Sequence, residues 1–394
     1  FTALISKKAA EIFPEYAVYL SEPAKEEAIH AYLSRVADLE FSGLVAATSD
    51  FSRYDAHFTP EVRLSILPLY EAIAELCVDK GSSPAARAHW EAFTRFLTER
   101  VITKMKVGKA SVLNPAQEWT IYVKGTVGSG DMDTTPFNTL FNVGLHRLAL
   151  AATGTAPEEV LAFYTGDDGV IIGPEETVKE LAAERERLAA ALGHKLTGDC
   201  SPLVADFHAA GIAIPEFCSR HIAVWREKGG ELKVRMVRKP GRALIRLGHS
   251  AVRYPQSLWA GLLRAKCICE MQWAKGWPVV QALNSAILAQ PHISSAKVFV
   301  TPDLVRKTIG PDASAERQYL RLPTKVLRRE VGAKLLATRH AYVEPTDGAR
   351  DAFRCLYGMP AKAQRAAEAG LRVVAEERFS VIPDNLIEDL LQHC

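Results

Sequence analysis

The sequence carries almost no net charge. Its 48 Lys and Arg residues face 46 Asp and Glu, leaving +2 over 394 residues. That excludes binding to nucleic acid or to an anionic membrane through sheer excess of positive charge, so any such surface must come from segregation of charge along the chain. Cysteine supplies no framework. Cys77, Cys200, Cys218, Cys267, Cys269, Cys355 and Cys394 are odd in number and form no CxxC pair. They read as reduced thiols in a cytosolic setting, not as a disulfide scaffold or a zinc site. No apolar run reaches the roughly 18 residues of a membrane span. No signal peptide opens the chain, no internal repeat is evident and no segment is low in complexity.

What is present is ordinary globular material. Hydrophobic residues make up 48% and charged residues 24%, which excludes a disordered chain, a collagen or a coiled-coil rod. The length suits two or three units of about 100–200 residues each. The chain opens on Phe1 inside a helical-looking stretch, so it is expected to be a processed product or the later part of something longer.

Apolar spacing predicts helices over 1–40, from Thr59-Pro60-Glu61 to about 79, and over 84–101. The run LVAATSD at 44–50 predicts a buried strand with Asp50 at its carboxyl end. Lys104, Lys106, Lys109 and Lys124 alternate with small and β-branched residues before the Gly-rich TVGSG. An amphipathic helix is predicted over about 133–152, strands over 161–164 and 169–172 around TGDD, and a helix over 174–192 with acids in its first turn. Gly229-Gly230 between apolar runs predicts a hairpin within 195–237. Helical patterns punctuated by proline dominate from 241 onward.

Three acid-bearing segments stand out: SDFSRYDAHF at 49–58, GSGDMDTTPFN at 128–138 and YTGDDGV at 164–170. Two adjacent Asp residues are common turn formers. Flanked by two apolar strands, they instead place carboxylates on a tight hairpin tip. Clustered carboxylates repel each other, and a hard divalent cation relieves that cost through oxygen ligation.

In this order, DxxxxD, SGxxxTxxxN and GDD, the segments resemble motifs A, B and C of the RNA-dependent RNA polymerases of positive-strand RNA viruses, with wording most similar to the tombusvirus-like and nodavirus-like branches. Asp50 and Asp55 match motif A. Ser129, Gly130, Thr134 and Asn138 match motif B, and Asp167 and Asp168 match motif C. Leu192-Gly193-His194-Lys195 is similar to the motif D lysine region, and Glu216-Phe217-Cys218-Ser219-Arg220 to motif E. The likeness spans roughly residues 41–250, and three motifs in order are far more specific than any one alone.

The resemblance implies an α+β right-hand polymerase: a palm with a small antiparallel sheet backed by helices, a mainly helical thumb, and fingers largely absent. The division implied is 1–43 for lead-in helices, 44–240 for the palm with an inserted segment around 80–127, and 241–394 for the helical thumb and C-terminal region. Asp50, Asp167 and Asp168 would hold Mg²⁺ or Mn²⁺. Asp55 and Asn138 would hydrogen-bond the ribose 2′-hydroxyl, with Ser129, Gly130 and Thr134 supporting them. Lys195 would be the general acid for pyrophosphate, with His194 as its rival. Phe217, Cys218, Ser219, Arg220, Arg235, Arg238 and Arg242 would contact RNA. The partners implied are an RNA template and product, nucleoside triphosphates, and an upstream fingers region or other replicase subunits. The setting implied is the host cytoplasm, in a complex attached to membrane through other segments.

The charge pattern agrees. Arg220, Arg226, Lys228, Lys233, Arg235, Arg238, Lys239, Arg242, Arg246 and Arg253 crowd one stretch, opposed within it by Glu227 and Glu231 alone. A second basic group, Arg321, Lys325, Arg328, Arg329 and Lys334, lies further on. Each residue also has a plain structural role open to it: Asp55 as a cap, Thr134 and Asn138 as ordinary helix residues, Lys195 as a helix-end charge, Cys218 as a small buried group. Only 49 residues precede Asp50, with no basic segment to match the family's triphosphate-gripping motif F. Two rivals stand beside the polymerase. A reverse transcriptase usually carries an aromatic residue two positions before the acid pair, where this chain has Thr165, with Tyr164 displaced by one. A non-catalytic RNA-binding scaffold on a palm remnant has no need of clustered acids.

Overall fold

The apolar run from Leu44 forms an interior strand of a small antiparallel sheet. The computed structural model describes residues 2–18, 20–36, 43–52, 58–77, 84, 87, 88, 91, 92, 102–107, 119–124, 134–248, 254–300, 333, 336 and 341–376. The fold is α+β, with small antiparallel sheets among predominant helices, and it divides into two compact units. The first comprises 1–19 and 43–201, the second 20–42 and 202–394.

In the first unit, α1 (Thr2–Ile12) is followed by β1 (Leu44–Ser52) and α3 (Pro60–Glu75); α2 (Glu22–Arg35) belongs to the second unit. Pro60 opens α3, where a missing N–H costs nothing, and Thr59 Oγ1 caps it by accepting from Val62 N at 3.3 Å. A separate hairpin pairs β2 (Ile102–Val107) with β3 (Trp119–Lys124). Helix α4 (Thr134–Thr153), strands β4 (Leu161–Thr165) and β5 (Asp168–Pro174), helix α5 (Glu175–Ala191) and strand β6 (Lys195–Thr197) complete the part that positions the site. The sheet runs β4-β5-β1-β6.

The core explains the helix periodicity. Leu140, Val143, Ala149 and Leu150 of α4 pack with Val45, Ala47, Tyr164, Ile171, Val178 and Leu181. Phe137, Phe141 and Leu145 join Phe51, Phe58, Ala189 and Leu196 in a second cluster. Helix α4 is thus buried on two faces, which fixes it against the sheet. The open edge of β4 is covered by the segment at Tyr16, where Tyr164 N donates to Glu15 O at 2.8 Å and Ala17 N to Tyr164 O at 2.9 Å.

In the second unit, β8 (Glu216–Phe217), β9 (Arg220–Arg226) and β10 (Leu232–Arg238) form a three-stranded sheet. Helix α2 packs on β10, and Glu26 accepts from Met236 N at 2.8 Å. In chain order, β7 (Cys200–Pro202), which pairs with β1, and the short α6 (Phe207–Ala210) come before this sheet. Beyond the sheet come α7 (Pro240–Gly248), α8 (Trp259–Trp273), α9 (Val280–Ala289), α10 (Pro291–Ser294), α11 (Asp347–Tyr357) and α12 (Ala361–Glu376). The helical character expected after 241 is present, and proline begins α7 and α10. Residues 202–240 fall in the second compact unit with the helices that follow, whereas the resemblance places the division of palm and thumb near 240. The cause is packing: Ala223 and Val237 of the hairpin share a core with Trp277, Phe353, Leu356 and Tyr357. No helix among the described residues is long and apolar enough to cross a membrane.

Candidate functional site

Strand β1 changes partner at the position of its acid. It pairs with β5 from Leu44↔Pro174 to Ser49↔Gly169, then with β6 from Asp50↔Thr197 to Ser52↔Lys195. Continuing the first register by one residue sets Asp50 level with Asp168, with Asp167 one residue beyond. The acid of β1 and the acid pair therefore share one end of the sheet.

The GDD segment is a two-residue hairpin turn. The last β4–β5 pair is Thr165↔Asp168, leaving Gly166 and Asp167 at the tip. Gly166 has φ +64°. A positive φ at the first turn position is what a type II′ hairpin demands, and glycine adopts it without a Cβ clash. Gly169 answers a different need. A Cβ there would lie 2.5 Å from Ser49 Oγ and 2.8 Å from the Tyr164 ring, so no side chain fits where β5 crosses β1.

Asp50 and Asp167 are exposed and Asp168 is half-buried. Partial burial lifts the Asp50 carboxyl above its ordinary range, repulsion from Asp167 lifts it further, and a hydrogen bond from Phe51 N opposes them. The two carboxylates thus feel each other across the strand ends. Among the described residues no group of three or more His, Cys, Asp or Glu is gathered to hold a metal ion. Asp50 and Asp167 would supply two carboxylate ligands, and that suits Mg²⁺, which keeps waters and takes substrate phosphates for the rest of its shell. The raised Asp50 fits the same role, since a cation would remove the repulsion.

The turn is held from below. Thr139 Oγ1 accepts from Gly166 N at 2.8 Å, and Asn142 Nδ2 donates to Gly166 O at 3.0 Å and Asp167 O at 3.4 Å. Asn142 Oδ1 accepts from Arg185 Nη2 at 2.6 Å, and Arg185 Nη1 donates to Ser49 Oγ at 3.2 Å. The Arg185 guanidinium also lies over the Tyr164 ring, 4.7 Å from its centroid. None of Thr139, Asn142 and Arg185 was singled out from the sequence, though signals existed. Asn142 is a second asparagine one turn after Asn138, in a helix interior that disfavours it. Arg185 sits on the stripe Val178, Leu181, Ala189, which is otherwise apolar and buried.

The remaining expected residues divide. Thr134 is the first residue of α4 and half-buried. Asn138, one turn on, is only 3% exposed, so a ribose would meet it after a local opening. Asp55, Ser129 and Gly130 lie outside the described residues, as does all of the second basic group. Lys195 is exposed at the start of β6, opposite Ser52. Its rival His194 is buried between aromatic rings, with centroids 4.9 Å from both Phe58 and Phe141. Lys195 therefore faces solvent, whereas His194 is enclosed.

Folding gives the basic stretch further neighbours. The sequence sets only Glu227 and Glu231 against it, but folding brings other acids. Arg220 is 6% exposed, bonded to Glu22 at 3.2 Å and stacked over Trp273. Arg238 pairs with Glu270 at 2.5 Å, Lys239 with Glu216 at 2.5 Å and Lys228 with Asp347 at 2.6 Å. Arg235 donates to the carbonyls of Trp273 and Lys275. Phe217 is buried beneath the Lys25 ammonium. Phe217, Arg220 and Arg238 are therefore internal supports in this structure, whereas Arg242 is exposed on α7 and Cys218 and Ser219 are half-buried at the β8–β9 turn. Comparison with protein-family models and with curated proteins returns no match.

Proposed function

We propose that the chain is the palm and thumb portion of an RNA-dependent RNA polymerase of the positive-strand viral type, adding nucleotides to an RNA chain from nucleoside triphosphates. The observation that carries this reading is the convergence of the motif A and motif C acids. Asp50 at its strand end and Asp167 at the hairpin tip lie at one end of the sheet, close enough to repel. Accidental GDD turns give no reason for a second acid to arrive there.

Bound Mg²⁺ or Mn²⁺ would activate the attacking 3′-hydroxyl and neutralise the triphosphate. Asp50 and Asp167 would hold it, and Asp168 would tune their charge from the base of the turn. Lys195, exposed on the neighbouring strand, donates the proton that lets pyrophosphate leave. Thr134 at the start of α4, with Asn138 after a local opening, reads the ribose 2′-hydroxyl, the group that separates RNA from DNA precursors. Cys218 and Ser219, together with Arg242, are left to touch the product strand.

The test is incorporation of labelled nucleotide on an RNA template with Mg²⁺ or Mn²⁺, comparing the chain with Asp167→Ala/Asp168→Ala. Incorporation that disappears in the variant is the expected result. If both are silent, the assay is repeated with a fingers segment from a polymerase of that type supplied alongside. Silence there too, together with salt-sensitive RNA binding, favours the scaffold and overturns the polymerase.

A further inference from the structure

Arg185 is 1% exposed. Removing a guanidinium from water costs several kcal/mol unless the protein compensates it. Among the described residues no carboxylate pairs with Arg185, and its Nε has no hydrogen-bond partner. Replacing such a group by an apolar side chain of similar volume is often neutral or stabilising. Core packing alone therefore gives no reason for an arginine on this stripe.

Its contacts give one. Nη1 reaches Ser49 Oγ, the residue before Asp50. Nη2 reaches Asn142 Oδ1, and the amide of Asn142 reaches the carbonyls of Gly166 and Asp167. The orientation of that amide is forced. Arginine only donates, so Oδ1 must face it, and carbonyls only accept, so Nδ2 must face them. One rigid fork thus connects the strand bearing Asp50 to the turn bearing Asp167. Lysine carries the same charge but lacks the planar fork.

We infer that Arg185, acting through Asn142 and Ser49, is a positioning residue that sets the spacing of Asp50 and Asp167 for a divalent cation. It touches neither substrate nor cation. The inference rests on the proposed two-carboxylate site, so its test reads metal binding and not nucleotide incorporation. Outer partners of metal ligands commonly govern about 10–100-fold in affinity.

Mn²⁺ is titrated by electron paramagnetic resonance into the full chain and into Asp167→Ala, Arg185→Lys, Arg185→Met and Asn142→Leu. Leu181→Ala serves as a control for simple loss of packing, since Leu181 is fully buried on the same helix without joining the fork. Thermal unfolding is recorded for each. The expected result is a Kd about tenfold or more weaker for both Arg185 variants and for Asn142→Leu, with Arg185→Lys still folded. Leu181→Ala melts lower but keeps its Mn²⁺ affinity. Unchanged affinity in Arg185→Lys and Asn142→Leu, with binding lost in Asp167→Ala, overturns the positioning role and leaves the metal site standing. The role is also overturned if Leu181→Ala weakens binding as much, because packing alone then accounts for the effect. If the unaltered chain binds no Mn²⁺, the metal site itself falls.

Discussion

His146 and His221 are histidines that the fold keeps neutral. Burial, with help from the nearby Arg185 and Arg147 charges, drives His146 down from 6.5 to about 3. Burial and the neighbouring Lys239 drive His221 down to about 4, Glu216 pulling weakly the other way. Both accept protons less readily folded than unfolded. Their contribution to stability is therefore complete above pH 6.5 and is lost as pH falls through 4 toward 3. Each unit of such a shift corresponds to about 1.4 kcal/mol. The chain is expected to lose stability steeply over that window, and His146→Leu to move the acid-unfolding midpoint down by a few tenths of a pH unit. Fluorescence-monitored acid titration checks this, and an unshifted midpoint would contradict it. At this scale the acids were legible in the sequence, because carboxylates at strand ends have few structural uses. Arg185 was not, because an arginine in the alternating charges of ERERL reads as a solvated charge. His194 looked like a proton donor until Phe51, Phe58 and Phe141 enclosed it.

Among the elements, the β8–β9 turn stands apart. Its two residues, Cys218 and Ser219, have φ +51° and +63°. Two consecutive left-handed residues make a type I′ hairpin, for which Asn-Gly is the unstrained pair. Left-handed backbone costs an ordinary side chain about 1–2 kcal/mol, so Cys218→Asn/Ser219→Gly is expected to stabilise the second unit by about 1–2 kcal/mol. Chemical denaturation measures this, and a lower midpoint would contradict the assignment of strain. Strain of this kind gathers at functional turns, and under the proposed function the same variant loses nucleotide incorporation. Most elements were legible. β1, α3 from Pro60, α4, the β4–β5 hairpin, α5 and the β9–β10 hairpin all fall within a few residues of where pattern and punctuation put them. What pattern did not give was pairing. Nothing in LVAATSDFS says that β1 leaves β5 for β6 at Asp50, because that exchange depends on residues more than a hundred positions away.

At the scale of the whole molecule, charge bookkeeping along the chain misled where the acids were. Glu22, Glu26 and Glu270 come from helices remote in sequence to meet Arg220, Arg235 and Arg238, and Glu216 meets Lys239. Sequence windows see a basic stripe, while the fold shows ion pairs supporting a hairpin. The compact units follow packing of the same kind, since Ala223 and Val237 share a core with Trp277 and Phe353. By contrast, Asp50 and Asp167 repel each other across the strand ends, and neither has a salt-bridge partner among the described residues. That is an electrostatic cost retained in the fold, and the central claim is that a divalent cation relieves it. Thermal unfolding of the full chain and of Asp50→Asn, each with and without Mn²⁺, tests this most directly. Removing one acid is expected to raise the melting temperature of the metal-free chain by about 1–2 °C and to abolish the rise that Mn²⁺ gives the unaltered chain. An Asp50→Asn chain that melts lower and still responds fully to Mn²⁺ would contradict the account.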